Sequence, residues 1–137
     1  MKLKRRIPFL VLAALLLFAV SGCGRTAQAQ TDLGPSELYT ARELRLAARA
    51  AAWWFRFLFD GCTLTSLRYP GDEWENRYLA ASERYGAERA VVLLSDFRVG
   101  PDGGDGSLPP DGMIWDWQWI LVQDSLGFWH HVDHGFG

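Results

Sequence analysis

The spacing of apolar and polar positions, which follows the helical repeat, predicts two helices in the middle of this chain. Ser36 is the expected N-cap of the first helix, which runs to about Phe59. At about 100° per residue, one broad arc of this helix is apolar and consists of Leu44, Ala47, Ala48, Ala51, Trp54, Phe55, Leu58 and Phe59. A second, shorter helix is expected from Asp72, its N-cap, to Tyr85, and Gly86 ends it.

Four strands are expected around these helices. Each segment is β-branched and apolar or alternates in polarity, and they span residues 62–69, 89–99, 113–123 and 128–133. The glycine-rich residues 100–112 predict a loop between the second and third strands, and residues 124–127 a hairpin turn. We therefore predict an α+β fold: a curved antiparallel sheet of about four strands packed on a long N-terminal helix and a shorter second helix.

The N-terminal residues contain the segments of a secretory signal peptide in their usual order. Four basic residues precede an apolar run from Ile7 to Val20, and the run is followed by Ser21, Gly22 and Cys23. The run is shorter than the roughly 20 residues of a stable membrane span. The site resembles the lipobox of bacterial lipoproteins, which implies cleavage before Cys23 and lipidation of that cysteine. The alternative is an ordinary signal peptide with a chance cysteine.

These features divide the chain into three parts. Residues 1–22 are the expected lipoprotein signal peptide, residues 23–36 a lipid-anchored flexible tether, and residues 37–137 one small domain. The expected location is the extracytoplasmic side of a cell membrane, held through the lipid anchor. Whether that is an inner or an outer membrane stays open.

The charge and cysteine content of the chain reduce the number of functions to be expected of it. Four of the 14 basic residues lie in the signal, and the remainder of the chain is acidic and contains no lysine. Nucleic-acid binding needs a basic footprint and is not expected. Cys62 has apolar neighbours and no partner cysteine once Cys23 is lipidated, so we expect a buried and inert thiol.

The first helix also carries a basic side. Its four arginines fall together opposite the apolar arc, and they are Arg42, Arg45, Arg49 and Arg56. A solvated face with local acidic partners is the favoured interpretation. Contact with anionic lipid is the second, because the anchor keeps the domain near a membrane. The acidic total argues against the second interpretation.

The order of elements resembles the nuclear-transport-factor-two-like superfamily, the cone-shaped α+β fold shared with SnoaL-like proteins. Four stretches are similar to a family of secreted and lipid-anchored domains of Gram-positive bacteria, some of them appended to sensor metallopeptidases. These stretches span residues 59–65, 92–97, 116–122 and 127–137. The resemblance implies the fold and suggests a part in envelope sensing. It implies no catalytic residue, because the superfamily hosts enzymes and non-catalytic binding modules alike.

Three tryptophans on one predicted strand are the first candidate site. Trp115, Trp117 and Trp119 alternate with polar residues and are expected to share one strand face. Such a platform stacks on a sugar ring or lines an apolar ligand pocket. The favoured interpretation is that this face packs as core against the aromatic residues of the first helix.

Two further clusters contain residues that ligate metals. His131 and Asp133 are expected on one face of the last strand and His130 and His134 on the other, so the four do not converge on zinc. The loop acids Asp102, Asp105 and Asp111 lack the ordered spacing of a calcium loop. We expect no metal site and no cofactor.

Acid–base catalysis would need a carboxylate or histidine inside the cone. Asp96 and Asp116 are the only acids within strongly apolar strands. The sequence favours a non-catalytic module that binds a small ligand or an envelope protein. The alternative is a small isomerase- or hydrolase-type enzyme. An interior into which Asp96, Asp116 or a histidine points would favour the enzyme, and an interior filled by aromatic side chains would favour the binding module.

Overall fold

A computed structural model describes residues 24–137 of the chain, and the predicted signal peptide and Cys23 lie outside the described residues. The described elements are β1 (Gln30–Asp32), α1 (Ala41–Leu58), β2 (Thr63–Arg68), a 3-10 turn (Asp72–Trp74), α2 (Glu75–Tyr85), β3 (Arg89–Arg98), β4 (Met113–Gln123) and β5 (Trp129–Gly135). The expected α+β class is confirmed. In this part of the chain no helix has both the length and the apolar character needed to cross a bilayer.

The sheet has five strands in the order β1-β2-β3-β4-β5. The four strands β2 to β5 pair antiparallel, as expected. The fifth, β1, pairs parallel with β2 at the edge, so the sheet is mixed and larger than the prediction. Three irregularities interrupt the register, one in each antiparallel pair, and bulges of this kind bend and twist a sheet.

Helix α1 begins later than predicted, because Thr40 and not Ser36 is its N-cap. Thr40 Oγ1 accepts a hydrogen bond from the N–H of Glu43 (3.1 Å), and the Glu43 carboxylate accepts one from the N–H of Thr40 (2.7 Å). This reciprocal capping box satisfies two backbone donors at the helix start. Ser36 instead caps the turn before the helix, where its Oγ accepts from the N–H groups of Leu38 and Tyr39.

The second helix also starts later than predicted. Asp72 lies in the 3-10 turn and not at an N-cap, and its carboxylate accepts hydrogen bonds from the Ser36 and Tyr69 hydroxyls and from the N–H of Glu37. Asp72 therefore ties the start of the second helix to the segment before α1. The predicted end is confirmed, since Gly86 adopts the left-handed conformation that terminates α2.

The segment assigned to a flexible tether contributes to the sheet. Within residues 24–36, β1 pairs with β2, Arg25 N–H donates to Cys62 O (2.9 Å), and Leu64 N–H donates to Arg25 O (2.8 Å). Gly24 is buried, and its N–H donates to Arg56 O at the end of α1 (3.0 Å). The domain therefore extends to the first described residue.

The core lies between the sheet and the helices that pack on it. Its largest fully buried side chains are Trp119, Phe55, Phe97, Leu44, Leu64, Leu93 and Leu121. Phe55 and Phe59 of α1 stack with ring centroids 5.1 Å apart, and both contact the ring of Phe97. All of these residues lie within residues 24–137, so this part of the chain carries its own core.

Candidate functional site

The prediction that the three tryptophans share one strand face is wrong, because a bulge in β4 breaks the alternation. Phe97 pairs with Ile114 and Ser95 with Trp117, so both Trp115 and Asp116 lie opposite Asp96. Asp116 has a positive φ of 55°, which identifies it as the extra residue of the bulge. Trp117 faces the core, whereas Trp115 lies beside Asp96 on the opposite face of the sheet.

The two remaining tryptophans belong to the core. Trp119 is fully buried, and its indole N–H donates a hydrogen bond to Ser95 Oγ (2.8 Å). Trp117 is half-buried and packs edge-on against Phe59 (5.4 Å between ring centroids). Its indole N–H is shielded from solvent and has no acceptor among residues 24–137. Trp115 remains 62% exposed.

A second bulge brings two histidines together in a way the alternation did not predict. Ile120 pairs with Asp133 and Leu121 with His131, so Val132 is the extra residue of β5. This shift turns His131 and His134 to the same face, where His131 Nε2 lies 3.0 Å from His134 Nδ1 and the rings stack. The predicted split of these two histidines between opposite faces is therefore wrong.

The paired histidines sit among aromatic rings at the inner face of the sheet. The ring of His131 contacts that of Trp54 at a tilt (5.1 Å between ring centroids), and the ring of His134 contacts that of Trp117 in the same way (5.7 Å). Burial lowers the pKa of both imidazoles, and the proximity of His134 lowers the pKa of His131 further. Both rings are therefore mainly neutral at pH 7.

No metal centre emerges from the described part of the chain, which holds no group of three or more histidine, cysteine or acidic side chains placed to share an ion. His130 points away from the histidine pair and contacts Asp124 (2.6 Å). In the glycine-rich loop Asp105 accepts hydrogen bonds from Ser107. Cys62 is buried as expected, and burial raises the pKa of its thiol.

The two acids considered for catalysis lie outside the core. Asp96 pairs in register with Ser66 on the outer face of the sheet, and its carboxylate accepts from Ser66 Oγ (2.7 Å) and from Asp116 N–H (2.9 Å). Arg68 forms ion pairs with both Asp96 and Asp116. Burial raises the pKa of Asp96, but these hydrogen bonds and the arginine outweigh burial and hold that pKa below its usual value. The carboxylates are thus engaged in holding the bulged strands together.

A groove of about 630 Å³ runs between α1 and the β1–β2 edge of the sheet. Its residues are Thr26, Ala29, Thr31, Leu33, Arg42, Arg45, Leu46, Ala48, Arg49, Ala52, Leu64 and Leu67. Small and aliphatic side chains of the helix and of β2 form its floor. Arg42, Arg45 and Arg49 follow one another along the helix at its rim. A volume of this size falls in the range of small-ligand sites.

The arginines at the rim are not neutralised by near neighbours. No carboxylate among residues 24–137 lies within ion-pair distance of Arg42, Arg45, Arg49 or Arg56. The favoured expectation of local acidic partners is therefore wrong for the described residues. The sequence showed this basic stripe but not the groove, because β1 was assigned to a tether and one wall was missing.

A smaller cavity of about 260 Å³ lies at the other end of α1. Leu58, Phe59, Trp117, His134 and part of the glycine-rich loop line it. The cavity thus lies beside one member of the histidine pair and the ring of Trp117. Here a titratable side chain, that of His134, lines a cavity within the described part of the chain.

The chain matches no protein-family model, no curated protein and no solved structure.

Proposed function

We propose that this chain is a membrane-anchored extracytoplasmic lipoprotein whose domain binds a ligand without transforming it. The anchor is supported by the charged start, the apolar run and the small residues before Cys23. The burial of Gly24 against α1 means that such an anchor would hold the domain close to the lipid. Labelling of the full chain with a radioactive fatty acid tests the anchor, and Cys23→Ser should abolish the label.

The groove between α1 and the β1–β2 edge is the observation that carries the binding function. It combines an apolar floor with three arginines on one rim, none of which has a carboxylate partner among the described residues. An arginine guanidinium binds a carboxylate or phosphate through two parallel hydrogen bonds. We therefore propose a ligand with an apolar body and one anionic group. The acidic charge of the remaining domain would disfavour polyanions.

Thermal unfolding of the domain against small amphiphiles tests this proposal. The arms are a medium-chain fatty acid, the alkyl phosphate of equal length, the uncharged alcohol and inorganic phosphate. The two anionic amphiphiles should stabilise the domain, by about 2.7 kcal/mol at 100 times the dissociation constant. The alcohol and free phosphate should act more weakly, because each supplies half of the contacts. No shift with either anionic amphiphile contradicts the proposal.

Arginine variants locate the binding. Arg42→Gln with Arg45→Gln should remove most of the shift, since both side chains rim the groove. Arg77→Gln with Arg84→Gln changes the net charge equally on α2, away from the groove, and is the matched control. Equal loss in both double variants would show that general charge, and not the groove, attracts the anion.

A small enzyme with its site inside the domain is the second candidate. The observation that favours it is the His131–His134 contact beside the 260 Å³ cavity, because a neutral imidazole there can accept a proton. The absence of Asp96 and Asp116 from this interior argues against a carboxylate-assisted reaction. Hydrolysis of a panel of activated esters, with His134→Gln and His130→Gln compared, tests the candidate. Activity lost only with His134→Gln would support it.

We also propose that the fold is nuclear-transport-factor-two-like and that the domain takes part in envelope sensing. Support for the fold comes from the long helix packed against a bulged, largely antiparallel sheet. The sensing role rests on the resemblance to domains appended to sensor metallopeptidases. An experimental structure tests the first proposal, and crosslinking in the native envelope with identification of the captured partner tests the second.

A further inference from the structure

The outer side of the last turns of α1 exposes two aromatic rings to solvent. Trp53 is 52% exposed and Phe57 66% exposed, and their ring centroids lie 4.4 Å apart. The two rings therefore form one continuous apolar surface. A folded domain buries its aromatic side chains where it can, so a contiguous exposed pair marks a surface that meets something other than water.

Arginines flank these rings on the same side of the helix. At about 100° per residue, Arg49, Trp53, Arg56 and Phe57 fall within an arc of about 100° that faces away from the core. The helix has no acidic residue after Glu43, and no carboxylate among residues 24–137 pairs with either arginine. The domain is acidic in total, but charges more than about 8 Å away are largely screened at physiological salt. Locally this face is basic and aromatic.

The start of the described chain lies at the same end of the helix. Gly24 N–H donates to Arg56 O, and Gly24 is packed so tightly that a Cβ there would lie 2.8 Å from the carbonyl oxygens of Phe55 and Phe59. Cys23 is bonded directly to Gly24, and consecutive Cα atoms are about 3.8 Å apart. A lipid on Cys23 would therefore begin within one residue of the turn that carries Arg56 and Phe57.

We propose that this outer face of α1 docks on an anionic lipid surface. Trp53 and Phe57 insert at the level of the headgroups, where aromatic rings are favoured, and Arg49 and Arg56 contact lipid phosphates. The proposal rests on the proposed membrane location but concerns a separate protein surface. It also places the arginine rim of the groove beside the headgroups, since Arg49 belongs to both.

A second copy of the chain fits this face less well. A stable interface buries about 800 Å² on each partner, which two rings do not provide. A two-fold contact through this face would bring the arginines of one copy against those of the other, with no carboxylate on the helix face to offset them. The basic flanks instead complement an anionic partner.

Quenching of tryptophan fluorescence by brominated lipid tests the docking. The lipidated full chain is reconstituted into vesicles of phosphatidylglycerol and phosphatidylcholine with bromine on the acyl chains, and into vesicles of phosphatidylcholine alone. We expect quenching in the anionic vesicles, loss of that quenching with Trp53→Phe, and its retention with Trp115→Phe. Trp115 is the matched control because it is 62% exposed on the other side of the sheet. Quenching that persists in Trp53→Phe overturns the proposal, as does no quenching in the wild type.

Partitioning of residues 24–137, which carry their own core, separates docking from anchoring. Arg49→Gln with Arg56→Gln should weaken binding to anionic vesicles about thirtyfold, at about 1 kcal/mol for each arginine. Arg84→Gln with Arg98→Gln removes the same charge elsewhere and should have a much smaller effect. Equal effects, or sedimentation showing a dimer that shields Trp53, contradict docking. Failure of fatty-acid labelling at Cys23 would contradict the anchor alone.

Discussion

Trp119 and Ser95 form a hydrogen bond of 2.8 Å between two completely buried side chains on neighbouring strands. The indole N–H of Trp119 donates and Ser95 Oγ accepts. Ser95→Ala would leave this donor without an acceptor in the core, which typically costs about 1–3 kcal/mol. Urea denaturation should show a correspondingly lower midpoint with an unchanged slope.

Ser82→Ala is the matched control for this substitution. Ser82 is also buried, but its hydroxyl donates to Leu79 O in the same helix, so this bond does not connect one secondary-structure element to another. We expect a change within about 0.5 kcal/mol for Ser82→Ala. Equal destabilisation by the two variants would mean that the Trp119–Ser95 bond contributes no more to stability than the bond within the helix.

Gly24→Ala should loosen the first described segment from the domain. A Cβ at this position would lie 2.8 Å from the backbone carbonyl oxygens of Phe55 in α1 and of Phe59 just after it, so the segment has to shift. An overpacking cost of about 1.4 kcal/mol corresponds to about tenfold more frequent local opening. Trypsin should then cleave after Arg25 about tenfold faster than in the wild type. Gln28→Ala, an exposed change in the same segment, should leave the rate unchanged, and rapid cleavage of the wild type would favour a free tether.

The histidine pair should make stability depend on pH in the mildly acidic range. Burial lowers the pKa of both His131 and His134 below the ordinary value near 6.5, so the unfolded chain binds protons that the folded chain does not. The free energy of unfolding is therefore unaffected by this pair above about pH 6.5. It falls as the pH drops from there toward the lower pKa values of the two histidines in the folded state. Urea midpoints between about pH 7.5 and pH 5 measure this loss.

His134→Gln should reduce that loss, because one of the two buried proton sites is removed. His130→Gln should retain it, since His130 is exposed and contacts Asp124 away from the pair. If His134→Gln loses as much stability as the wild type over this interval, the pair does not set the pH dependence.

Asp96 should stabilise the fold near neutral pH and lose this effect in strong acid. Its pKa is below the ordinary value, so the stabilisation is present above about pH 4 and disappears as the pH falls through the lower folded pKa. Asp96→Asn should cost roughly 2 kcal/mol at pH 7, since hydrogen bonds to a charged group are lost. The difference from the wild type should vanish in strong acid, whereas Asp102→Asn in the exposed loop should match the wild type throughout. A deficit that does not change with pH would point to a packing effect.

Much of the secondary structure follows from local pattern. The strand at Met113–Gln123 has the predicted bounds, and the end of α2 at Gly86 is also as expected. The starts of both helices were misplaced, because Ser36 and Asp72 are good caps that bond to each other instead. Their pairing joins two segments 36 residues apart, which a local pattern does not contain.

The candidate site was the least predictable part. The alternation rule assumes that each residue of a strand lies opposite one residue of its partner strand. A bulge adds one extra residue and so reverses the face of every residue beyond it. The bulge at Asp116 separated Trp115 from Trp117 and Trp119, and the bulge at Val132 joined His131 to His134. A bulge depends on the partner strand, so the chain's own period cannot locate it.

By itself, the sequence determined the amphipathic first helix with its arginine side, the apolar strands and the α+β class, because these follow from hydrophobic periodicity and turn residues within each segment. The tertiary structure alone decided that residues 30–32 form an edge strand, that a groove opens between this edge and α1, and that the histidines meet. These features arise from contacts between segments far apart in the chain. Their free energy depends on register and packing, and neither is encoded in the local alternation of residues.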